Sequence, residues 1–132
     1  MAEEVVVKEY LSDAMISSGA ALTKRLAEEQ WPVDAALWYY KSEPNEWKLL
    51  FASPVVPKEG PRTAYEKIQQ SLGELPDCVV ALQDVTVVDP EDTVVTLLRT
   101  ALGTVGGGTG IRFSRSAILG RYIEDAYIYL LR

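Results

Sequence analysis

The sequence contains no histidine and a single cysteine, Cys78, in 132 residues. Without histidine there is no Ser-His-Asp triad, no Cys-His pair and no imidazole-ligated metal site. One thiol permits neither an intramolecular disulfide nor a multi-cysteine metal site. Uninterrupted apolar runs are only a few residues long, against the ~20 that a membrane helix needs. The opening Met1-Ala-Glu-Glu-Val-Val-Val-Lys lacks the basic start and the apolar stretch of a signal peptide. An unpaired thiol without an export signal makes the cytoplasm the expected compartment. Basic side chains are also scarce. Thirteen Lys and Arg face 19 Asp and Glu, a net charge of −6, which is the wrong sign for general nucleic-acid binding. On these grounds no cofactor, metal, membrane or nucleic-acid partner is expected.

What is present is ordinary globular usage, 48% hydrophobic and 24% charged, so disorder is excluded. A chain of this length buries roughly two thirds of its unfolded surface around one core. Residues 1–11 read as a loosely held arm, although Val5-Val6-Val7 would also serve as an edge strand. Residues 12–132 read as a single domain.

Ser12 or Asp13 caps a helix that runs to about Gln30, with Met15, Gly19, Leu22 and Leu26 on one apolar stripe. Pro32 stops it. Val33–Lys41 and Glu46–Ser53 read as two strands of a hairpin around residues 42–45. Pro54, Pro57 and Pro61 keep the next segment extended. A second helix covers Arg62–Leu72, with Ala64, Tyr65, Ile68 and Leu72 inward, and a short strand follows at Asp84–Val88. Asp89 as N-cap, Pro90 at the first helical position and Glu91 and Asp92 in the first turn mark a third helix, which Gly103 closes. Ile111–Arg115 and Arg121–Leu131 form the last two strands, antiparallel across Ser116–Gly120. The order is α-β-β-α-β-α-β-β, an α+β domain whose sheet is mostly antiparallel or mixed.

The stretches Met15-Ile-Ser-Ser-Gly-Ala, Ala36-Leu-Trp-Tyr-Tyr and Gly110-Ile-Arg-Phe-Ser-Arg through Ile123-Glu-Asp-Ala-Tyr-Ile-Tyr resemble those of small bacterial single-domain proteins of unknown function. The resemblance covers most of the chain beyond residue 14. It implies no activity and brings no catalytic residues with it.

The hairpin register places Ala36, Trp38, Tyr40, Trp47, Leu49 and Phe51 on one face and Ala35, Leu37, Tyr39, Lys48, Leu50 and Ala52 on the other. An antiparallel hairpin normally keeps one polar face. Here both are apolar except at Lys48, so either helices cover both or a second chain covers one. Trp38, Tyr40, Trp47 and Phe51 are therefore candidate interface residues for a homodimer or another protein partner, since Trp and Tyr concentrate where partners bury each other.

Gly103-Thr-Val-Gly-Gly-Gly-Thr-Gly110 carries five glycines in eight residues. It runs from a helix C-terminus into a strand, the reverse of a nucleotide-binding loop, and no Gly-Lys-Ser/Thr follows. Between Asp92 and Glu124 there is no acid, but Arg99, Arg112, Arg115 and Arg121 all occur there. Arg112 and Arg115 have opposite strand parity. Two readings stay open: pairing with Asp84, Glu124 or Asp125 inside the fold, or an anion site built from Gly106, Gly107, Gly108, Arg112 and Arg115.

Catalytic patterns fail on geometry. Asp34 with Glu46-Trp47-Lys48 imitates a metal-dependent nuclease, but the register sets Glu46 against Lys41, leaving Asp34 ~23 Å away at ~3.3 Å per residue. Two ligands of one Mg²⁺ must both lie within about 2.1 Å of it. Glu124 and Asp125 are adjacent on a strand and point to opposite faces. Cys78 has no basic neighbour in sequence to activate it. The sequence thus points to a non-catalytic interaction module that self-associates through sheet aromatics. The alternative is a domain that binds a small phosphate- or nucleotide-type anion at Gly103–Gly110.

Overall fold

The computed structural model describes residues 10–41, 43, 45–106, 110–118 and 120–132, with Arg115 and Ser116 described by backbone alone. Residues 1–9 of the expected arm, including Val5–Val7, lie outside this set. Leu11 is already buried in the core.

Helix α1 (Asp13–Glu28) begins where Ser12 accepts a hydrogen bond from the Met15 amide at 3.1 Å, a side-chain cap on an otherwise unpaired N–H. It ends at Gln30, which takes the left-handed φ of 59° while the Trp31 amide donates back to Leu26 O at 3.0 Å. That closure is the Schellman pattern, in which glycine usually fills the left-handed position. Strands β1 (Ala35–Lys41) and β2 (Glu46–Ala52) pair from Ala35 opposite Ala52 to Lys41 opposite Glu46, the register read from the sequence.

The segment after β2 corrects the sequence reading. The prolines do not hold it extended; it forms a short helix α2 (Val55–Glu59) and then α3 (Pro61–Gly73). Pro54 precedes α2, Pro57 falls in its first turn and Pro61 opens α3. At each of these places a missing N–H costs nothing. Gly60, at φ 93°, makes the break between the two helices.

A 3₁₀ turn at Leu82–Asp84 leads into β3 (Val85–Val88). Helix α4 covers Thr93–Leu102, and its N-cap is Asp92, not Asp89: the Asp92 carboxylate accepts from the Val94 amide at 3.0 Å. Asp89-Pro90-Glu91-Asp92 is instead a turn closed by the Asp92 amide on Asp89 O at 2.9 Å. Asp at the first and Pro at the second turn position suit a β-turn as well as a helix start. Gly103 ends α4 at φ 73°. Strand β4 (Ile111–Ile118) is longer than expected, because Ile118 still pairs with Arg121 at the head of β5 (Arg121–Leu131). Gly120 at φ 80° permits so tight a reversal, and Leu119 lies outside the described residues.

Among the described residues, five strands form one sheet in the order β3-β2-β1-β5-β4. There β2–β3 is parallel and the other pairings are antiparallel, so the sheet is mixed and the α+β class holds. Helices cover both faces. Leu22 and Leu26 of α1 and Ala64 and Ile68 of α3 pack with Trp38, Leu49 and Phe51. On the other side Val94, Val95 and Leu98 of α4 pack with Leu37, Leu50, Ile128 and Leu131. No helix among the described residues is long and apolar enough to cross a membrane.

One polar relay ties α1 to the sheet. Trp38 Nε1 donates to Tyr129 Oη at 3.0 Å, and Tyr129 Oη donates to Ile16 O at 2.6 Å. Burial raises the Tyr129 phenol well above its ordinary pKa, so the hydroxyl remains a donor. A register shift between Ala36 and Leu37 lets Tyr129 and Leu130 both reach the α1 side, as a bulge does. Gly19 makes room: a Cβ there would lie 2.4 Å from Tyr129 Oη and 2.7 Å from Trp38 Nε1.

Gly19→Ala is expected to lower stability by about 1–3 kcal/mol or more through overpacking. Tyr129→Phe is expected to lose about 1–3 kcal/mol by orphaning the buried Trp38 donor. Urea unfolding monitored by far-UV circular dichroism checks both; a neutral Gly19→Ala would mean that α1 does not approach the sheet so closely.

The C-terminal half of α1 is clasped to α3. Lys67 Nζ donates to Glu29 at 2.6 Å, Ser71 Oγ to the same oxygen at 3.3 Å, and Arg25 bridges to Glu74 at 3.0 Å. The Lys67 hydrogen bond holds the Glu29 carboxyl below its ordinary pKa. The unfolded chain therefore binds the Glu29 proton more readily, so this clasp stabilises fully above the unfolded pKa and is lost as pH falls through the folded one. In melting curves from pH 7 to 3, Glu29→Gln is expected to be less stable than the parent at neutral pH and to converge with it in acid.

Candidate functional site

The two-sided hairpin is covered within its own chain. Trp38, Trp47 and Phe51 are 1%, 5% and 0% exposed, and α1 and α3 lie over them. Of the four aromatics proposed as an interface, three sit in the core, because three helices suffice to cover both faces of a small sheet. Tyr40 alone is partly exposed, its ring 5.3 Å from that of Trp47. Trp47 Nε1 is buried without a hydrogen-bond partner among the described residues. Trp47 also lines a cavity of about 260 Å³ with Ser12, Met15, Val80 and Asp84.

Of the arginine segment, the described side chains of Arg99 and Arg112 go to different partners. Arg112 grips Asp125 with two hydrogen bonds of 2.7 Å each, and its guanidinium lies 5.5 Å from the centroid of the Trp47 ring. Asp125 raises the Arg112 pKa further. Arg99 donates instead to Arg132 O and Pro90 O. Of the glycine loop, Gly107 and Gly108 lie outside the described residues, and Arg115 is described by backbone alone. Gly106 stands elsewhere, next to Leu130. The pairing of Arg112 inside the fold is thus the arrangement found. Gly110 lies tight beneath Tyr127, whose ring a Cβ would meet at 2.2 Å.

The remaining candidates stay apart as well. Asp34 precedes β1 while Glu46 opens β2 opposite Lys41. Among the described residues no three His, Cys, Asp or Glu side chains could share a metal ion. Cys78 is partly buried with its thiol directed at Val80 O, 3.9 Å away. Glu124 is exposed while Asp125 holds Arg112.

Gly106 contributes to a groove that the sequence reading missed. One cavity of about 360 Å³ is lined by Ala20, Thr23, Lys24, Ala27, Gly106, Tyr129, Leu130 and Arg132. A second, of about 240 Å³, shares Thr23, Ala27, Leu130 and Arg132 and continues along Gln30, Trp31, Pro32 and Val33. Together they form one trough between the outer face of α1 and the end of β5. The first cavity is largely apolar, and no Asp or Glu side chain lines either, in a chain with a net charge of −6. Lys24 and Arg132 make no ion pair with another described side chain. Ala20, Thr23, Lys24 and Ala27 recur at helical spacing on the face of α1 opposite Leu22 and Leu26. Two alanines where a solvated face usually carries long polar side chains were the available signal.

Comparison of the chain with protein-family models, with curated proteins and with solved structures finds no match in any of the three.

Arg112→Ala removes an exposed ion pair and a cation–π contact, so it is expected to cost about 0.5–2 kcal/mol. A double-mutant cycle with Asp125→Ala should return a coupling below about 1 kcal/mol. Weak anion binding, if present, should survive Arg112→Ala unchanged, because that guanidinium is already engaged.

Proposed function

We propose that the chain is a non-catalytic binding module whose α1–β5 groove holds a small anionic ligand. The observation that carries this reading is two cationic side chains, Lys24 and Arg132, that pair with no described Asp or Glu side chain, in a lining without Asp or Glu. Gly106 adds backbone with no side chain to block approach. Arg offers a planar two-donor fork to carboxylate or phosphate, and Lys a mobile point charge. The absence of histidine and of any assembled carboxylate cluster among the described residues supports binding over catalysis. Calorimetric titration of the full chain with inorganic phosphate and simple carboxylates tests it. Binding should weaken as salt rises, and Lys24→Glu or Arg132→Glu should weaken it about tenfold or more while leaving the melting temperature within a degree or two. Lack of binding by every anion, or loss of folding in both variants, would overturn it.

Self-association is supported by a separate observation. Tyr122 is 58% exposed and lines one shallow surface with Tyr39 and Tyr40, flanked by Lys41 and Arg121 and by Glu43 and Glu124. Such a patch is self-complementary in charge, as a two-fold contact requires. Light scattering should then report a dimer at micromolar concentration that Tyr122→Asp converts to a folded monomer. A parent that is monomeric at all concentrations removes this reading.

A further inference from the structure

We infer that the ligand of the α1–β5 groove is an amphipathic carboxylate, with its head between Lys24 and Arg132 and its apolar body along Ala27, Trp31, Val33 and Leu130. This rests on the anion-binding reading of the groove and deepens it. Three features separate an amphiphile from a bare ion. Lys24 and Arg132 are both exposed, where solvent and salt screen a simple ion pair to little net gain. The trough does not end at the cations. Thr23, Ala27, Leu130 and Arg132 belong to both halves, so the half with Lys24 opens directly onto the half with Trp31. That second half adds the Trp31, Pro32 and Val33 side chains and contributes no cation beyond the shared Arg132. A phosphate ion would leave it unused, whereas an alkyl or aryl body would bury it.

The shape of the trough has a local cause. Gln30 holds a left-handed φ of 59° and turns the chain sharply out of α1. Trp31 and Pro32 are thereby folded back beside Ala27 to form the apolar wall. A non-glycine residue in that region carries strain that the surrounding structure must maintain. Small side chains at Ala20 and Ala27 keep the near wall low, and a longer residue at either place would fill the trough.

Tryptophan fluorescence and calorimetry on the full chain at low salt test this with acetate, butanoate, octanoate, octan-1-ol and inorganic phosphate, each below any micelle concentration. Octanoate should bind, with affinity rising about two- to fourfold per added methylene from acetate upward. Trp31→Phe should reduce the spectral change. Ala27→Glu, a substitution on an exposed helix face, should abolish octanoate binding without lowering the melting temperature. If phosphate and acetate bind as tightly as octanoate, the anion reading stands and the amphiphile is overturned. If octan-1-ol binds as well as octanoate, the charges are unused and the anion reading itself fails. If none binds, both fall. Co-sedimentation with anionic phosphatidylglycerol vesicles should leave the chain in the supernatant; pelleting that Lys24→Glu prevents would replace a free carboxylate by a lipid surface.

Discussion

Between its ends the β1–β2 hairpin has one charged side chain, Lys48, and its remaining side chains are apolar or aromatic on both faces. A sheet cannot leave either such face in water, and the rest of the architecture follows from covering both. Helices α1 and α3 close the face that carries Trp38, Leu49 and Phe51, and α4 closes the face that carries Leu37 and Leu50. The parallel pairing of β2 with β3 is what a chain obtains when it crosses over one face by way of α2 and α3 before rejoining the sheet. Lys48 escapes by reaching the edge, where its ammonium donates to Gln83 O and stands 3.7 Å from Glu46. Two-sided coverage also decides what is left for a partner. The large aromatics become core, and the accessible chemistry moves to the outer face of α1 and to the hairpin tip near Tyr122.

Local signals were read well where one residue type has one physical use. Ser12 caps α1, Gly103 ends α4, and the four-residue connection fixes the hairpin register. Reading failed where the same residues serve two structures. Prolines spaced three and four apart suit an extended segment, but they suit helix first turns equally, and α2 and α3 use them so. Asp89-Pro90 spells both a turn and a helix start, and Asp92 takes the cap because its carboxylate reaches the Val94 amide. The C-terminal strand hides its own pattern. Ile123, Ala126, Ile128 and Leu131 all face one core, at intervals of three, two and three, and the register shift at Tyr129 accounts for the last of these. Nothing local announces that this strand lies inside the sheet and not at its edge.

The site was less legible than the fold for a related reason. Four arginines close in sequence look like a patch, but a helix end and a strand send two of them to different neighbours: Arg99 to backbone carbonyls, Arg112 to Asp125. The groove draws its two cations from Lys24 and Arg132, more than a hundred positions apart. They line one groove where α1 meets the end of β5, which is a tertiary event. The sequence did hold one hint, in the small residues Ala20 and Ala27 on the outer face of α1.

The position of β5 bears on how the chain is made. It is the last strand in sequence, but it lies between β1 and β4. Trp38 waits for a partner 91 positions downstream. About 80 residues separate the end of β1 from the start of β5, roughly 4–16 s of ribosomal synthesis at about 5–20 residues per second. The Tyr129 hydroxyl that ties α1 to the sheet is missing until then, and the pairings that close the sheet are long-range, the kind that form slowly. Throughout that interval the most apolar strand of the nascent chain presents an unpaired edge, the state from which association between copies on neighbouring ribosomes begins.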